Sequence, residues 1–232
     1  MHAALYDQFA RIGKAIASPG RLHLLDVLVQ RSRTVEELAT RSGLTVANTS
    51  QHLRVLAQAH LVASDKRGLH VHYRIAGPAV ESLLSCLQRT ASVQLAEVAR
   101  LAQVHLGTGD ALKGVDRQIL QRRIAAGEVT LIDVRPVDEY AAGHLPGALS
   151  VPLSDLAKHL TALPRNRIVV AYCRGPYCTM SGEAVDALTK RGYRASRLPD
   201  GVLEWRNAGL PTESGAPSVV PARRPRRVRR IA

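Results

Sequence analysis

The sequence predicts two domains: a mainly α domain with a helix-turn-helix and a β-hairpin, then an α/β domain on a parallel sheet. Three observations predict this. Over the first hundred residues apolar positions recur at helical spacing, interrupted by one alternating stretch. Beyond residue 115 short β-branched runs alternate with helical patterns, the order of βα units. Between them Gly107-Thr108-Gly109-Asp110 breaks the composition. The expected boundaries are 1–106 for the first domain, 107–114 for a linker, 115–212 for the second domain and 213–232 for a disordered basic tail.

Length and composition agree. A chain of 232 residues can bury two cores. No segment reaches the roughly 20 apolar residues that span a bilayer, so no membrane partner is expected. Met1-His2-Ala3-Ala4-Leu5-Tyr6-Asp7 lacks the basic start and apolar middle of a signal peptide. Three cysteines, an odd number, do not make a disulfide framework, and a reducing, cytoplasmic location is expected.

The formal charge of +13 is uneven. Residues 1–110 hold 12 Lys and Arg against 8 Asp and Glu, residues 111–212 hold 14 against 10, and residues 213–232 hold 6 against 1. That last segment, with Arg223, Arg224, Arg226, Arg227, Arg229 and Arg230 among prolines, is too polar to fold alone. Two readings stand side by side: an arm that meets an acidic polymer, and a solvated tail.

In chain order, Leu5, Phe9, Ile12 and Ile16 predict a first helix, and Ser18-Pro19-Gly20 ends it. Leu22, Leu25, Leu28 and Val29 predict a second. Thr34 stands three residues before Glu37, the capping-box spacing, and opens a short helix that stops at Ser42-Gly43. Thr45 caps the next, which runs through Leu56. A short helix, a glycine turn and a second helix have the spacing of a helix-turn-helix. Leu53 and Leu56 face the core, while Asn48, Thr49, Ser50, Gln51, His52 and Arg54 offer hydrogen-bonding groups suited to base edges and phosphates. Leu61 to Ile75 alternates around a basic glycine turn, which predicts a hairpin with Lys66 and Arg67 at its tip, placed for phosphate or minor-groove contact.

On these residues the segment 9–76 resembles the winged helix-turn-helix of the ArsR/SmtB family of bacterial repressors, and Asn48-Thr49-Ser50-Gln51-His52-Leu53 matches that family's recognition-helix pattern. The resemblance implies a double-stranded DNA operator as partner and a homodimer joined through the first and last helices. It would assign the amphipathic run from Pro78 to Leu106 to the dimer interface; the other reading of that run is an intramolecular helix closing the core. The family's metal sites do not carry over: Thr34 and Glu36 stand where many members have cysteines, and the long run offers only His105. No metal and no cofactor are expected. Cys86, alone on an apolar helical face, reads as core, with a sensing role as the lesser alternative.

In the second domain Val129-Thr130-Leu131-Ile132-Asp133-Val134-Arg135 predicts a strand, Glu139 and Tyr140 a short helix, and Gly143-His144-Leu145-Pro146-Gly147-Ala148 a turn to another strand. Ile168–Ala171 and Ser196–Leu198 supply more strands. Between the third strand and its helix stands Ala171-Tyr172-Cys173-Arg174-Gly175-Pro176-Tyr177-Cys178-Thr179-Met180. A cysteine at the carboxyl end of a parallel strand occupies the place where ligands and reactive groups gather. Loop N–H groups and the start of the next helix favour its thiolate, and Arg174 is expected to add a positive charge. The bland reading of Cys173 is a buried structural thiol. A metal half-site is the weaker rival, since no second cysteine pair completes a zinc set.

Residues 115–212 resemble a rhodanese domain through Asp133-Val134-Arg135 with Glu139-Tyr140, Gly143 to Ala148, the Cys173 loop, and Asp200-Gly201 with Trp205. The resemblance implies that Cys173 attacks a sulfane sulfur and holds it as a persulfide for a thiol acceptor. One departure matters: five residues after the cysteine, where rhodaneses commonly carry arginine, stands Cys178. This weakens the case for an anionic donor such as thiosulfate, which Arg174 would partly offset. Cys178 either acts as a resolving thiol or only packs.

The expected function is a DNA-binding transcriptional regulator, with repression the expected sense, whose rhodanese domain senses or transfers reactive sulfur through Cys173, Arg174 and Cys178. The alternative is a sulfurtransferase enzyme that uses its DNA-binding portion for location or autoregulation. Capture of an arsenic or other oxyanion species is a third and weaker reading, with only two clustered thiols.

Overall fold

The computed structural model describes residues 3–106 and 117–218. The expected linker falls within 107–116, outside the described residues. Two compact units divide between Ala96 and Glu97.

In the first unit α1 (Ala3–Ile16) and α2 (Pro19–Gln30) precede a two-residue strand β1 (Arg33–Thr34), α3 (Val35–Ser42) and α4 (Val46–Gln58). The caps are those the sequence calls for. Thr34 Oγ1 accepts the Glu37 N–H while Glu37 Oε2 accepts that of Thr34, a reciprocal pair that satisfies two otherwise orphaned donors. Thr45 Oγ1 accepts from the Asn48 N–H and opens α4. The core is leucine-rich, with Leu24, Leu25, Leu38, Leu53 and Leu56 buried between α2, α3 and α4.

The hairpin follows as β2 (Val62–Arg67) and β3 (His70–Ile75), joined by Gly68 and Leu69. At Gly68 φ is +60°, a left-handed turn that glycine adopts without a β-carbon clash. β1 adds a third strand on the other side of β3, pairing Arg33 with Tyr73. A two-residue strand leaves no periodicity, so the sequence did not predict it.

The run expected to be continuous from Pro78 to Leu106 is two helices, α5 (Pro78–Gln94) and α6 (Ala96–Leu106), because Leu95 takes extended backbone angles between them. On α5 Val80 and Leu84 are buried, whereas Cys86 is exposed, not core as expected; its sulfur accepts a long contact from Arg89 Nη2 at 3.8 Å.

The second unit carries α7 (Arg117–Ala125), β4 (Val129–Asp133), α8 (Val137–Ala142), β5 (Leu149–Ser150), α9 (Leu156–His159), β6 (Ile168–Tyr172), α10 (Met180–Thr189), β7 (Ala195–Arg197) and α11 (Val202–Asn207). The sheet is parallel throughout, in the order β5-β4-β6-β7. Helices on both faces bury the strands on both, which is why β4 is inaccessible along its whole length. One face collects Ile132, Val169, Ala171, Ala184 and Leu188; the other collects Leu131, Val170, Tyr140, Leu198 and Trp205. The chain keeps backbone hydrogen bonds with this unit through Glu213, Gly215 and Ser218, residues that the sequence assigned to the tail. The arginine run lies in 219–232, outside the described residues.

Between the faces lies a buried ion pair. Arg135 Nη2 donates to Asp133 Oδ2 at 2.6 Å and to the Gly143 carbonyl at 2.6 Å, and the Tyr172 hydroxyl donates to the same Asp133 oxygen at 2.7 Å. Asp133 Oδ1 accepts from the Arg135 N–H and Nε, each at 3.0 Å, so both carboxylate oxygens are engaged, the condition under which a buried charge is tolerated. This network ties β4, β6 and the turn before β5 beneath the loop that follows β6.

Candidate functional site

Two groups of residues carry chemistry, one in each unit. In the first, α4 presents Asn48, Gln51 and Arg54 on one exposed stripe, with Arg54 Nη1 donating to Gln51 Oε1 at 3.1 Å. Ser50 and His52 are half-buried, the His52 ring packing over Gly20 at the start of α2. Thr49 does not belong with them. Its side chain has no exposure and its hydroxyl donates to the Thr45 carbonyl at 2.9 Å. The helical phase explains it: Thr49, Leu53 and Leu56 stand at i, i+4 and i+7, the face that packs inward. Lys66 and Arg67 are exposed at the hairpin tip, Arg67 beside Asp65 at 2.5 Å.

In the second unit Cys173 follows β6 at the carboxyl edge of the sheet and is 1% exposed. Its sulfur lies 3.1 Å from the Ser181 hydroxyl, near the start of α10, and 3.5 Å from the Cys178 carbonyl oxygen. Burial pushes the thiol up, but hydrogen bonds from the Cys178 thiol, the Ser181 hydroxyl and the Ser181 and Gly175 N–H groups outweigh it and bring the pKa down to about 6. Cys178 is driven well above the ordinary thiol range by its interaction with Cys173 and by partial burial. The two shifts run in opposite directions, and both favour the negative charge on Cys173 over Cys178.

Arg174, which the sequence expects to add a positive charge at the sulfur, is engaged in an ion pair. Its Nε and Nη2 donate to the two carboxylate oxygens of Glu139 on α8, at 2.9 and 2.7 Å, and Glu139 is buried. A bidentate pair of this kind fixes the loop backbone to α8 and neutralises the guanidinium.

Ser181, Arg197 and Gly201 escaped the sequence reading as site residues. Arg197 ends β7 opposite Ala171 and reaches the loop from outside it. β7 is a half-buried edge strand of Ala195, Ser196 and Arg197, where a polar residue is ordinary, so no local signal in the sequence marks it. Gly201 packs directly under the loop: a β-carbon there would stand 2.4 Å from the Arg174 carbonyl oxygen and 2.8 Å from that of Cys173.

The pKa sets a testable reactivity. A depressed pKa leaves thiolate dominant above about pH 6, and only below that does protonation remove the nucleophile. Alkylation of Cys173, followed by peptide-resolved mass spectrometry, is expected to reach half its maximal rate near pH 6 and to be flat above about pH 7, where an ordinary thiol still climbs past about pH 8.5. A rate that keeps climbing through pH 8 contradicts the hydrogen-bond arrangement.

Comparison with known proteins follows this division. The family model for rhodanese-like domains matches residues 116–208, and that for bacterial regulatory proteins of the arsR family matches residues 18–64. An HTH-type transcriptional regulator of Mycobacterium tuberculosis is 46% identical over 215 residues, covering 93% of this chain and 94% of its own length. A sulfurtransferase of Allochromatium vinosum is 35% identical over 99 residues, 42% of this chain and 91% of its own. Among solved structures, a homodimeric winged helix-turn-helix DNA-binding domain from Mycobacterium bovis is 42% identical, with a TM-score of 0.39, over 40% of this chain and 86% of that one.

Proposed function

Since the chain belongs to the ArsR family of bacterial transcriptional regulators and carries a rhodanese-like domain behind its winged helix-turn-helix, we propose that it is a repressor whose operator affinity is set by reactive sulfur captured at Cys173. The observation that carries this reading is the setting of Cys173 at the carboxyl end of β6, its sulfur 3.1 Å from the Ser181 hydroxyl and 3.5 Å from the carbonyl of Cys178, the second cysteine of the same loop.

The chemistry runs in two steps. The Cys173 thiolate attacks the terminal sulfane sulfur of a persulfide or polysulfide; a sulfur–sulfur bond forms on Cys173, the donor's sulfur–sulfur bond breaks, and the donor leaves as a thiolate. Cys178 then attacks the Cys173 sulfur of that persulfide. A Cys173–Cys178 disulfide forms, and the outer sulfur departs as hydrosulfide, taking the Cys178 proton. The two cysteines are oxidised and the sulfane sulfur is reduced. A resolving thiol on the same loop closes the disulfide before an external acceptor arrives, which suits a single-turnover sensor. Arg174 is committed to Glu139, so a persulfide or polysulfide fits the loop better than dianionic thiosulfate. Reduction by cellular thiols resets the pair, as expected of a protein working in the cytoplasm.

On the DNA side Asn48, Gln51 and Arg54 of α4 are the base-edge and phosphate contacts, with Lys66 and Arg67 on the backbone beside the hairpin. The protein works as a homodimer. Supporting this, α1 leaves Leu5, Tyr6 and Phe9 more than half exposed in one copy, an apolar patch that a second copy would cover. Two recognition helices then stand about 34 Å apart, one turn of DNA, and a small change in that spacing releases the operator.

The test is binding of the purified protein to DNA from upstream of its own coding region, reduced and after polysulfide, with intact-mass analysis of each sample. Polysulfide is expected to lower affinity about tenfold, with the chain one sulfur heavier or two hydrogens lighter. Binding indifferent to that modification, together with steady turnover of a sulfane donor and a thiol acceptor, would instead assign the chain as a sulfurtransferase, the reading that the likeness to the Allochromatium enzyme favours.

A further inference from the structure

The loop around Cys173 is gathered by one side chain that is not part of it. Arg197 on β7 donates from Nε to the Ser181 hydroxyl oxygen at 3.1 Å, and from Nη2 to the carbonyls of Pro176 at 2.6 Å and Cys178 at 3.3 Å. Ser181 has no exposure, and its hydroxyl in turn stands 3.1 Å from Cys173 Sγ. A chain of polar contacts thus runs from a cation to the sulfur through a single buried hydroxyl.

We propose that Arg197 is a positioning residue for the sulfur chemistry of Cys173: it holds the Ser181 hydroxyl with its proton on the sulfur and clamps the loop carbonyls so that Cys178 stays beside Cys173. The inference rests on the reading of Cys173 as the sulfur-accepting nucleophile.

Three physical arguments carry it. A guanidinium only donates, so Ser181 Oγ must accept from Nε and its own proton is left for the sulfur, which as thiolate only accepts. The Cys178 carbonyl is close enough to Cys173 to accept a thiol proton, and ionisation takes that donor away. Because Arg197 Nη2 still donates to the same oxygen, ionisation leaves no buried acceptor orphaned. Finally, drawing the Pro176 and Cys178 carbonyls toward β7 leaves the N–H groups of Gly175 and Ser181 on the side of the sulfur, a concave set of donors of the kind that binds anions.

Other charges face the loop, and substitution at 197 leaves them in place. They are the Arg174–Glu139 pair from the loop and α8, and Glu204 of α11, whose carboxylate lies over Gly175. On the loop itself Cys178 and Tyr177 also stay in place.

The experiment uses the full chain with Arg197→Gln and Arg197→Lys. Alkylation of Cys173 is followed by peptide-resolved mass spectrometry from about pH 5 to about pH 9, with Trp205 fluorescence reporting the fold. Arg197→Gln is expected to move the midpoint up by about one pH unit and to slow alkylation at pH 6 about fivefold to tenfold. Lysine keeps the charge but reaches one acceptor, so its midpoint falls between. The shifts of Arg197→Gln and Ser181→Ala are expected to be non-additive in the double variant, since both act on one hydroxyl. A midpoint unchanged in Arg197→Gln overturns the proposal. Should that variant lose its Trp205 signature, a wild-type midpoint in Arg197→Lys overturns it equally. Alkylation needs neither DNA nor a sulfur donor, so an operator response that ignores Cys173 would remove the regulatory reading and leave this result standing.

Discussion

Alanine at position 201 is expected to destabilise the α/β unit by about 3 kcal/mol, at the upper end of what an added methyl costs in a packed site. The reason lies in what the methyl meets. Its carbon would stand 2.4 Å from the Arg174 carbonyl oxygen and 2.5 Å from the carbonyl carbon, both backbone atoms that no rotamer change can move. The backbone angles at 201 are open to any residue, φ −110° and ψ −167°, so the cost is steric and not conformational. Relief requires either lifting the Cys173–Arg174 segment off α11 or shifting α11, whose first turn is held by the Gly201 N–H donating to Glu204 Oε2 at 2.7 Å. Either movement strains the Arg174–Glu139 pair and the Arg117–Asp200 pair at 2.5 Å. The chain has a single tryptophan, Trp205, buried on α11 four residues away. Its fluorescence therefore follows this unit alone. Thermal unfolding read at Trp205 is expected to shift down by on the order of 15 °C. An unshifted midpoint would mean that the loop and α11 do not approach as described.

Gly201 also illustrates which parts of the molecule are legible in one sequence. Local rules work where the interaction is local. The capping threonines Thr34 and Thr45, the glycine turn of the hairpin and the alternation of strands and helices after residue 129 are each decided within a few residues, and the structure has them where the sequence puts them. The same holds for the place of Cys173 between β6 and α10. What the sequence hides is determined across the sheet. Arg197 meets Ser181 only because β7 pairs beside β6, sixteen positions away in the chain. Arg174 pairs with Glu139, 35 positions earlier, because that buried carboxylate needs a counter-charge. Adjacent position suggested a charge at the sulfur, and burial of a distant carboxylate decided otherwise. Thr49 was a failure of a different kind. Its phase with Leu53 and Leu56 was available from the sequence, and its polar side chain obscured the fact that its hydroxyl can satisfy itself on the preceding turn.

The division of labour between the two loop cysteines has the sharpest expected outcome. Cys173→Ser is expected to take up no sulfur from polysulfide at this loop and to hold its operator equally well before and after treatment, because a serine hydroxyl is not ionised near neutral pH and cannot attack a sulfane sulfur. Cys178→Ser is expected to behave differently. Its Cys173 still accepts sulfur, since the Ser181 hydroxyl and the N–H groups of Gly175 and Ser181 still stabilise the thiolate. With no resolving thiol on the loop, the persulfide persists instead of closing to a disulfide, and the chain stays one sulfur heavier until an external thiol removes it. Intact mass of each variant after polysulfide and again after a brief thiol chase separates the species. Operator binding measured on the same samples then identifies the signal. If Cys178→Ser still releases DNA on sulfuration, the persulfide is sufficient and Cys178 serves only to reset the protein. If it holds DNA with the persulfide in place, the disulfide is the signal, because only that bond draws residue 178 onto residue 173 and moves the start of α10. A Cys173→Ser chain that still loses its operator on polysulfide treatment would place the sensing chemistry elsewhere, and the exposed Cys86 would be the thiol to replace next.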